Sequence, residues 1–329
     1  MKITKITINN FKSINNLELD VKAYDNSYTT IMLGINEVGK SNILKAISLF
    51  SPSGDYLYHE THNQKDDDNK DVSICFDLSF EESDKYHGAA LGDQSYLSNN
   101  DFKIKNIKKN VFLKSQAKNF AVSYTFDVEL KGNFFYANLG NGKIELKKAN
   151  SPEGTLEPMT LEKFRELCTP NIIRYIKNNE PSVSFWEPSP AYLISADIDL
   201  HAFSGNPDAN IPLKNIFALA GFDTVEKIRG QITTITTPHI KSKLESKLSD
   251  AITSYINGIW QHKIEFVADI EGGRFSISVK DAGKENKHDR HPMNARSDGF
   301  RQFILLILSL SVEAKKLNLK NRLILIDEP

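Results

Sequence analysis

A chain of 329 residues with 40% hydrophobic and 25% charged residues has the make-up of a soluble globular protein, one large domain or two ordinary ones. Its formal net charge of −1 excludes the global basic field of a dedicated nucleic-acid binder, so any DNA contact must come from a local patch or a partner. The two cysteines, Cys75 and Cys168, lack metal-ligand spacing and suit free thiols in a reducing compartment.

The opening Met1-Lys2-Ile3-Thr4-Lys5 lacks the apolar core of a signal peptide. Residues 2 to 9 alternate as a strand does, and after a turn at Ser13-Ile14-Asn15-Asn16 the alternation resumes over Leu17–Val21. Thr29–Leu33 reads as a short buried β-strand and residues 41–50 as a helix. Between them, Gly34-Ile35-Asn36-Glu37-Val38-Gly39-Lys40-Ser41 fits G-x-x-x-x-G-K-[ST] at every fixed position. Strand, glycine-rich turn and helix start is the arrangement that wraps a phosphate. Backbone N–H groups of Asn36, Glu37, Val38, Gly39, Lys40, Ser41 and Asn42 converge on it, and the helix dipole adds to the field. Lys40 would reach the β- and γ-phosphates of ATP, and the Ser41 hydroxyl would hold Mg2+. The alternative is a plain glycine turn with an incidental lysine.

Residues 51–70 are polar and turn-rich and read as an exposed loop, its aspartate run solvated. Strands follow at 72–80, 120–130 and 134–139. Asn141-Gly142 supplies a hairpin turn before Lys143–Leu146. The basic run Lys103–Lys109, with Lys114 and Lys118 beyond it, could steer phosphate backbones but fits a solvated edge strand better.

Prolines recur between 151 and 190 around a helix expected over Leu161–Leu167. Ala191–Ser195 reads as a strand. Asp197, Asp199 and His201 after it could ligate a metal, yet no second cluster supports them. Helices are expected at 212–220 and 225–235. A longer one keeps Ile240, Leu244, Leu248, Ile252, Ile256, Ile259 and Trp260 on one face. A hairpin spans 262–270 and 274–279 across Glu271-Gly272-Gly273. His288 and His291 read as loop residues. The apolar run Phe303–Leu308 is too short for a membrane span and reads as a buried helix, opened by Arg296-Ser297-Asp298-Gly299-Phe300. Ser297 could cap that helix or, with Gly299, meet an anion.

The chain closes on Leu323-Ile324-Leu325-Ile326-Asp327-Glu328-Pro329, an apolar strand running into two acids. That is the Walker B pattern: Asp327 would bind magnesium through water, and Glu328 would polarise the attacking water. Both motifs in one chain set the incidental-turn alternative aside and make this a nucleotide-binding α/β protein. It is expected to be cytoplasmic.

Lys5-Ile6-Thr7-Ile8-Asn9-Asn10-Phe11-Lys12-Ser13-Ile14, followed by Gly34-x-Asn36-x-x-Gly39-Lys40-Ser41-Asn42, resembles the opening of the SMC/RecF/OLD group of ABC-type ATPases. Arg296-Ser297-Asp298-Gly299-Phe300 is similar to their signature motif in its OLD-like form. The resemblance implies a P-loop NTPase head with a mixed or parallel core sheet, an antiparallel β-subdomain and a helical insertion. Residues 1–150 would form the amino-terminal lobe, and 151–329 a short arm and the carboxy-terminal lobe. It implies a homodimer or higher homo-oligomer around Mg-ATP, with Ser297 and Gly299 contacting the γ-phosphate held by the opposing subunit. The head would gate a DNA-directed activity, in a nuclease domain or partner, with defence or repair as the setting; DNA contact would be indirect and no membrane is involved. No glutamine loop can be placed: Gln64, Gln94 and Gln116 all lie in polar or variable stretches. Family members continue past the Walker B acids, so this chain alone is expected to hydrolyse ATP weakly or not at all. The alternative is a nucleotide-sensing scaffold that regulates a partner without turnover. A stand-alone nuclease lacks the acidic cluster it would need.

Overall fold

The computed structural model of the chain describes residues 1–23, 29–33, 39–52, 61–62, 70–90, 97–98, 100–114, 117–140, 143–148, 156–187, 194, 197–260, 263–281, 290–316 and 322–327. Two units organise it: Met1–Ser184 with Asn321–Leu325, and Phe185–Lys320 with Ile326–Pro329.

In the first unit, β1 (Lys2–Phe11) and β2 (Ile14–Asp20) form an antiparallel hairpin with Phe11 paired to Ile14. The turn is shorter than expected. Lys12 adopts a left-handed φ of 49°, which lets the ladder begin at Ile14 rather than Leu17. Helix α1 (Lys40–Ser48), β3 (Val72–Ser79), a single helical turn at Tyr86–Ala89, β4 (Phe102–Leu113) and β5 (Ala121–Leu130) follow. The strands build one antiparallel sheet in the order β2-β1-β3-β4-β5. A smaller sheet, ordered β7-β6-β8, comprises β6 (Phe134–Gly140), β7 (Lys143–Lys148) and β8 (Glu157–Pro158). Helix α2 (Leu161–Asn179) and β9 (Ser182–Trp186) complete the run.

Four expectations change here. The basic stretch is not an edge strand: β4 lies between β3 and β5. Asn106, at φ 50°, sits in a register shift between Lys105 and Lys108, so Ile104 and Ile107 both face the core although three residues apart. That shift also turns Lys109 inward. Second, α2 continues past Leu167, straight through Pro170. The proline removes one backbone donor, but Phe164, Cys168, Ile172 and Ile176 form a buried stripe at four-residue spacing that holds the helix together. Third, Thr61 and His62 are not loop: Thr61 is buried and accepts the Lys12 N–H at 2.7 Å, and His62 bridges Phe11. Fourth, residues 29–33 form no strand, and Ile31 and Leu33 are 76% and 90% exposed. A strand exists only where a neighbouring backbone answers its N–H and C=O groups, and the pairings of the five-stranded and three-stranded sheets are made by other segments.

The second unit begins with β10 (Ile198–Asp199) and a short helix at Leu200–Gly205, then α3 (Ile211–Leu219), α4 (Val225–Thr233) and α5 (Pro238–Asn257). Asp199, Asn210, Thr224 and Thr237 cap these four helices, as Thr160 caps α2, each accepting first-turn N–H groups. Strands β11 (Ile264–Glu271) and β12 (Arg274–Asp281) pair across Gly272-Gly273; β10 and β13 (Arg290–Pro292) also pair with β12. His291 is therefore a strand residue opposite Val279, not a loop residue. Helix α6 (Asp298–Lys316) lies against α3, where the buried Asn215 amide donates to the Leu308 and Ser309 carbonyls at 2.9 and 2.8 Å.

Helix α5 is not an arm. Its Leu244, Leu248, Ile252 and Ile256 are buried in the core of this unit beside Phe217, Phe266 and Phe275. The neighbouring stripe Lys241, Glu245, Ser249, Thr253 and Asn257 bonds the outer backbone of β11 at Ile264, Phe266, Ala268 and Ile270. Finally, β14 (Arg322–Ile326) pairs with β9 in a two-stranded sheet, and the Arg322 guanidinium donates to the Ser184 hydroxyl at 2.6 Å. Among the described residues no helix is long and apolar enough to cross a membrane.

Candidate nucleotide site

Gly39 is the cap residue of α1, at φ 93° and ψ 14°, a left-handed conformation that side-chain-bearing residues rarely adopt. A second constraint coincides with the first: a Cβ at Gly39 would lie 3.0 Å from the Ser13 hydroxyl oxygen. Lys40, Ser41 and Asn42 form the first helical turn, all half-buried. The Asn42 side-chain amide donates to Ser13 Oγ at 2.8 Å, so the β1–β2 turn rests against the start of α1. Where five other helices have a Thr, Asp or Asn whose side chain takes first-turn N–H groups, Gly39 brings no side chain, and no acid stands in the first turn. A helix start without a capping side chain or an acid is the kind that suits an anion.

The donor set fits phosphate. A glycine lets the backbone approach closely, and a lysine and a serine follow at the positive end of the helix dipole. The Ser41 hydroxyl is the kind of neutral oxygen donor magnesium accepts. Gly34, Asn36, Glu37 and Val38 lie outside the described residues, as do Glu328 and the glutamine-loop candidates Gln64, Gln94 and Gln116.

In the second unit, Asp327 follows β14 and is 8% exposed; its backbone N–H donates to the Trp186 carbonyl at 3.0 Å. Trp186 is itself among the most completely buried side chains. Ser297 acts as a cap: its Oγ accepts the Phe300 N–H at 3.4 Å and its carbonyl accepts the Arg301 N–H at 3.0 Å. Among the described residues nothing comes within 4 Å of a Cβ placed on Gly299. Asp298 and Arg301 are ion-paired beside it.

Asp199 spends its carboxylate on capping, accepting from the His201 and Ala202 N–H groups, and those bonds hold its pKa below the ordinary value. Among the described residues no group of three or more His, Cys, Asp or Glu could hold a metal ion. Cys75 and Cys168 are free thiols, as expected.

A protein-family model described as AAA ATPase domain matches residues 1–177, which is 177 of 329 residues. The chain belongs to the AAA ATPase domain family. No curated protein matches it. The AAA ATPase match takes in the whole of the sheet β2-β1-β3-β4-β5, the Gly39-Lys40-Ser41 helix start and most of α2. Asp327, Ser297 and Gly299 fall outside it.

Two contributors leave little signal in the sequence. Ser13 lies in a hairpin turn, and nothing local ties it to α1. Trp186 acts through its carbonyl, which leaves no side-chain signal.

Proposed function

We propose that this AAA ATPase domain protein is an ATP-binding head of the ABC type, akin to the SMC/RecF/OLD group. Gly39, Lys40 and Ser41, opening a helix whose cap residue offers no competing side chain, carry the reading. Bound Mg-ATP would supply a phosphoanhydride whose charge the metal partly offsets. Gly39 and Lys40 would hold and orient the phosphates and Ser41 would offer the metal its hydroxyl; the Walker B reading assigns Asp327 to the metal and Glu328 to the proton of the attacking water. A second copy of the chain would present Ser297 and Gly299 to the same nucleotide; the space around Gly299 among the described residues supports that role. Association and release of heads would then gate a DNA-directed activity in a partner or an attached nuclease.

The test uses the purified chain and a fluorescent ATP analogue with magnesium, followed by phosphate release and sedimentation. Saturable, magnesium-dependent binding that Lys40→Ala removes supports the reading. Equal binding by wild type and Lys40→Ala sinks it. Glu328→Gln is expected to accumulate the nucleotide-bound dimer, and a strictly monomeric Glu328→Gln protein would remove the dimer from the proposal.

A further inference from the structure

We propose that Ser13 is a positioning residue of the nucleotide site, holding the exit of the phosphate-binding loop in place through Asn42; this rests on the reading of that loop given above. Two measurements converge on one hydroxyl. Ser13 Oγ accepts the Asn42 amide at 2.8 Å, and it stands 3.0 Å from the Cβ position of Gly39. It therefore bonds one end of the first turn of α1 and stands beside the other, from an element 29 residues earlier than Asn42 in the chain.

The position of Asn42 explains why an outside tether is useful. A polar residue at the third helical position often folds back onto the cap residue's own N–H and closes the turn on itself. Asn42 occupies that position and is turned instead toward the β1–β2 hairpin. Its amide N–H donates to a group outside the helix, which ties the first turn to the hairpin.

The hairpin is a firm anchor. β1 is paired on both sides, with β2 and with β3, and the Lys12 N–H beside Ser13 donates to the Thr61 carbonyl at 2.7 Å. Ser13 itself is exposed, so its side chain adds little to the core. Its hydroxyl references the loop exit to the five-stranded sheet, and a loop held this way loses less freedom when nucleotide binds.

The experiment compares wild type, Ser13→Ala, Ser13→Thr, Asn42→Ala and the double variant Ser13→Ala/Asn42→Ala, each as the full chain. The fluorescent ATP analogue is titrated with magnesium present, and thermal unfolding is followed without nucleotide. Ser13→Ala is expected to bind about three- to tenfold more weakly, the range one hydrogen bond commands. Ser13→Thr, which keeps the hydroxyl, should stay within about twofold of wild type. The double variant should be no weaker than the weaker single one, because both remove the same bond. Unfolding without nucleotide should not move. Unchanged binding by Ser13→Ala, additive losses in the double variant, or a lowered melting temperature without nucleotide each overturn the positioning role. A wild-type chain that takes up no nucleotide overturns the underlying reading, and this one with it.

Discussion

Thr253 and Phe266 are joined twice: the Thr253 hydroxyl accepts the Phe266 N–H at 2.9 Å and donates to the Phe266 carbonyl at 3.3 Å. The pair is one rung of the series by which α5 closes the outer edge of β11. Four residues of helix advance about 6 Å and two residues of strand about 6.7 Å, so the two spacings stay nearly in step over four rungs. An edge satisfied in this way offers no template to another strand. Thr253→Val keeps the volume and leaves the Phe266 amide without its acceptor. Unfolding in denaturant should show a loss of about 1–3 kcal/mol, and a loss near zero would mean the rung is dispensable.

Lys109 and Glu180 form another long-range polar link, at 2.7 Å, with the lysine 3% exposed. The ammonium lies 3.9 Å from the Phe50 ring centroid, at the end of α1, and Tyr124 donates to the second Glu180 oxygen at 2.9 Å. Burial lowers the lysine pKa, and Glu180 pulls it part of the way back. Removing the carboxylate leaves a buried cation, so Glu180→Ala should cost about 3–5 kcal/mol. Lys109→Met, which fills the same channel without charge, should stay within about 1.5 kcal/mol of wild type. Equal losses from both variants in denaturant unfolding would contradict the argument.

Cys168 gives a pH dependence. Burial pushes its thiol from 9.0 up to about 12. Between those values the unfolded chain has released the proton and the folded chain has not, so the folded state binds more protons and stability falls as pH rises. The contribution is complete below pH 9.0 and is lost progressively through about 12. Cys168→Ala should show a shallower decline in unfolding free energy over that range. Identical slopes would remove Cys168 as the cause.

Gly39→Ala meets two penalties at once, the left-handed φ and the Ser13 hydroxyl. The backbone term alone is about 1–2 kcal/mol. The methyl group also pushes Ser13 away from Asn42. Nucleotide affinity is expected to fall at least about tenfold with only a small change in melting temperature. Lys40→Ala should lose nucleotide binding. Wild-type affinity in either variant would show that α1 does not hold the phosphates.

Much of this protein was legible before its fold. The glycine-rich loop, the helix start after it and the acids after Leu323–Ile326 are contiguous, and contiguous chemistry is written in one dimension. Caps at Thr160, Asp199, Asn210, Thr224 and Thr237 and the apolar stripe of α5 are equally local, since three- and four-residue spacings on a helix depend on nothing else. What the tertiary structure decided is everything that depends on a neighbour across space. Lys109 looks like a solvated lysine until the shift at Asn106 turns it inward, and Pro170 looks like a helix end until the sheet supplies a surface that holds α2 together. Ser13 looks like any turn serine until Asn42 reaches it from α1. Local pattern sets which conformations a segment can adopt, and the partner that buries or bonds it selects among them.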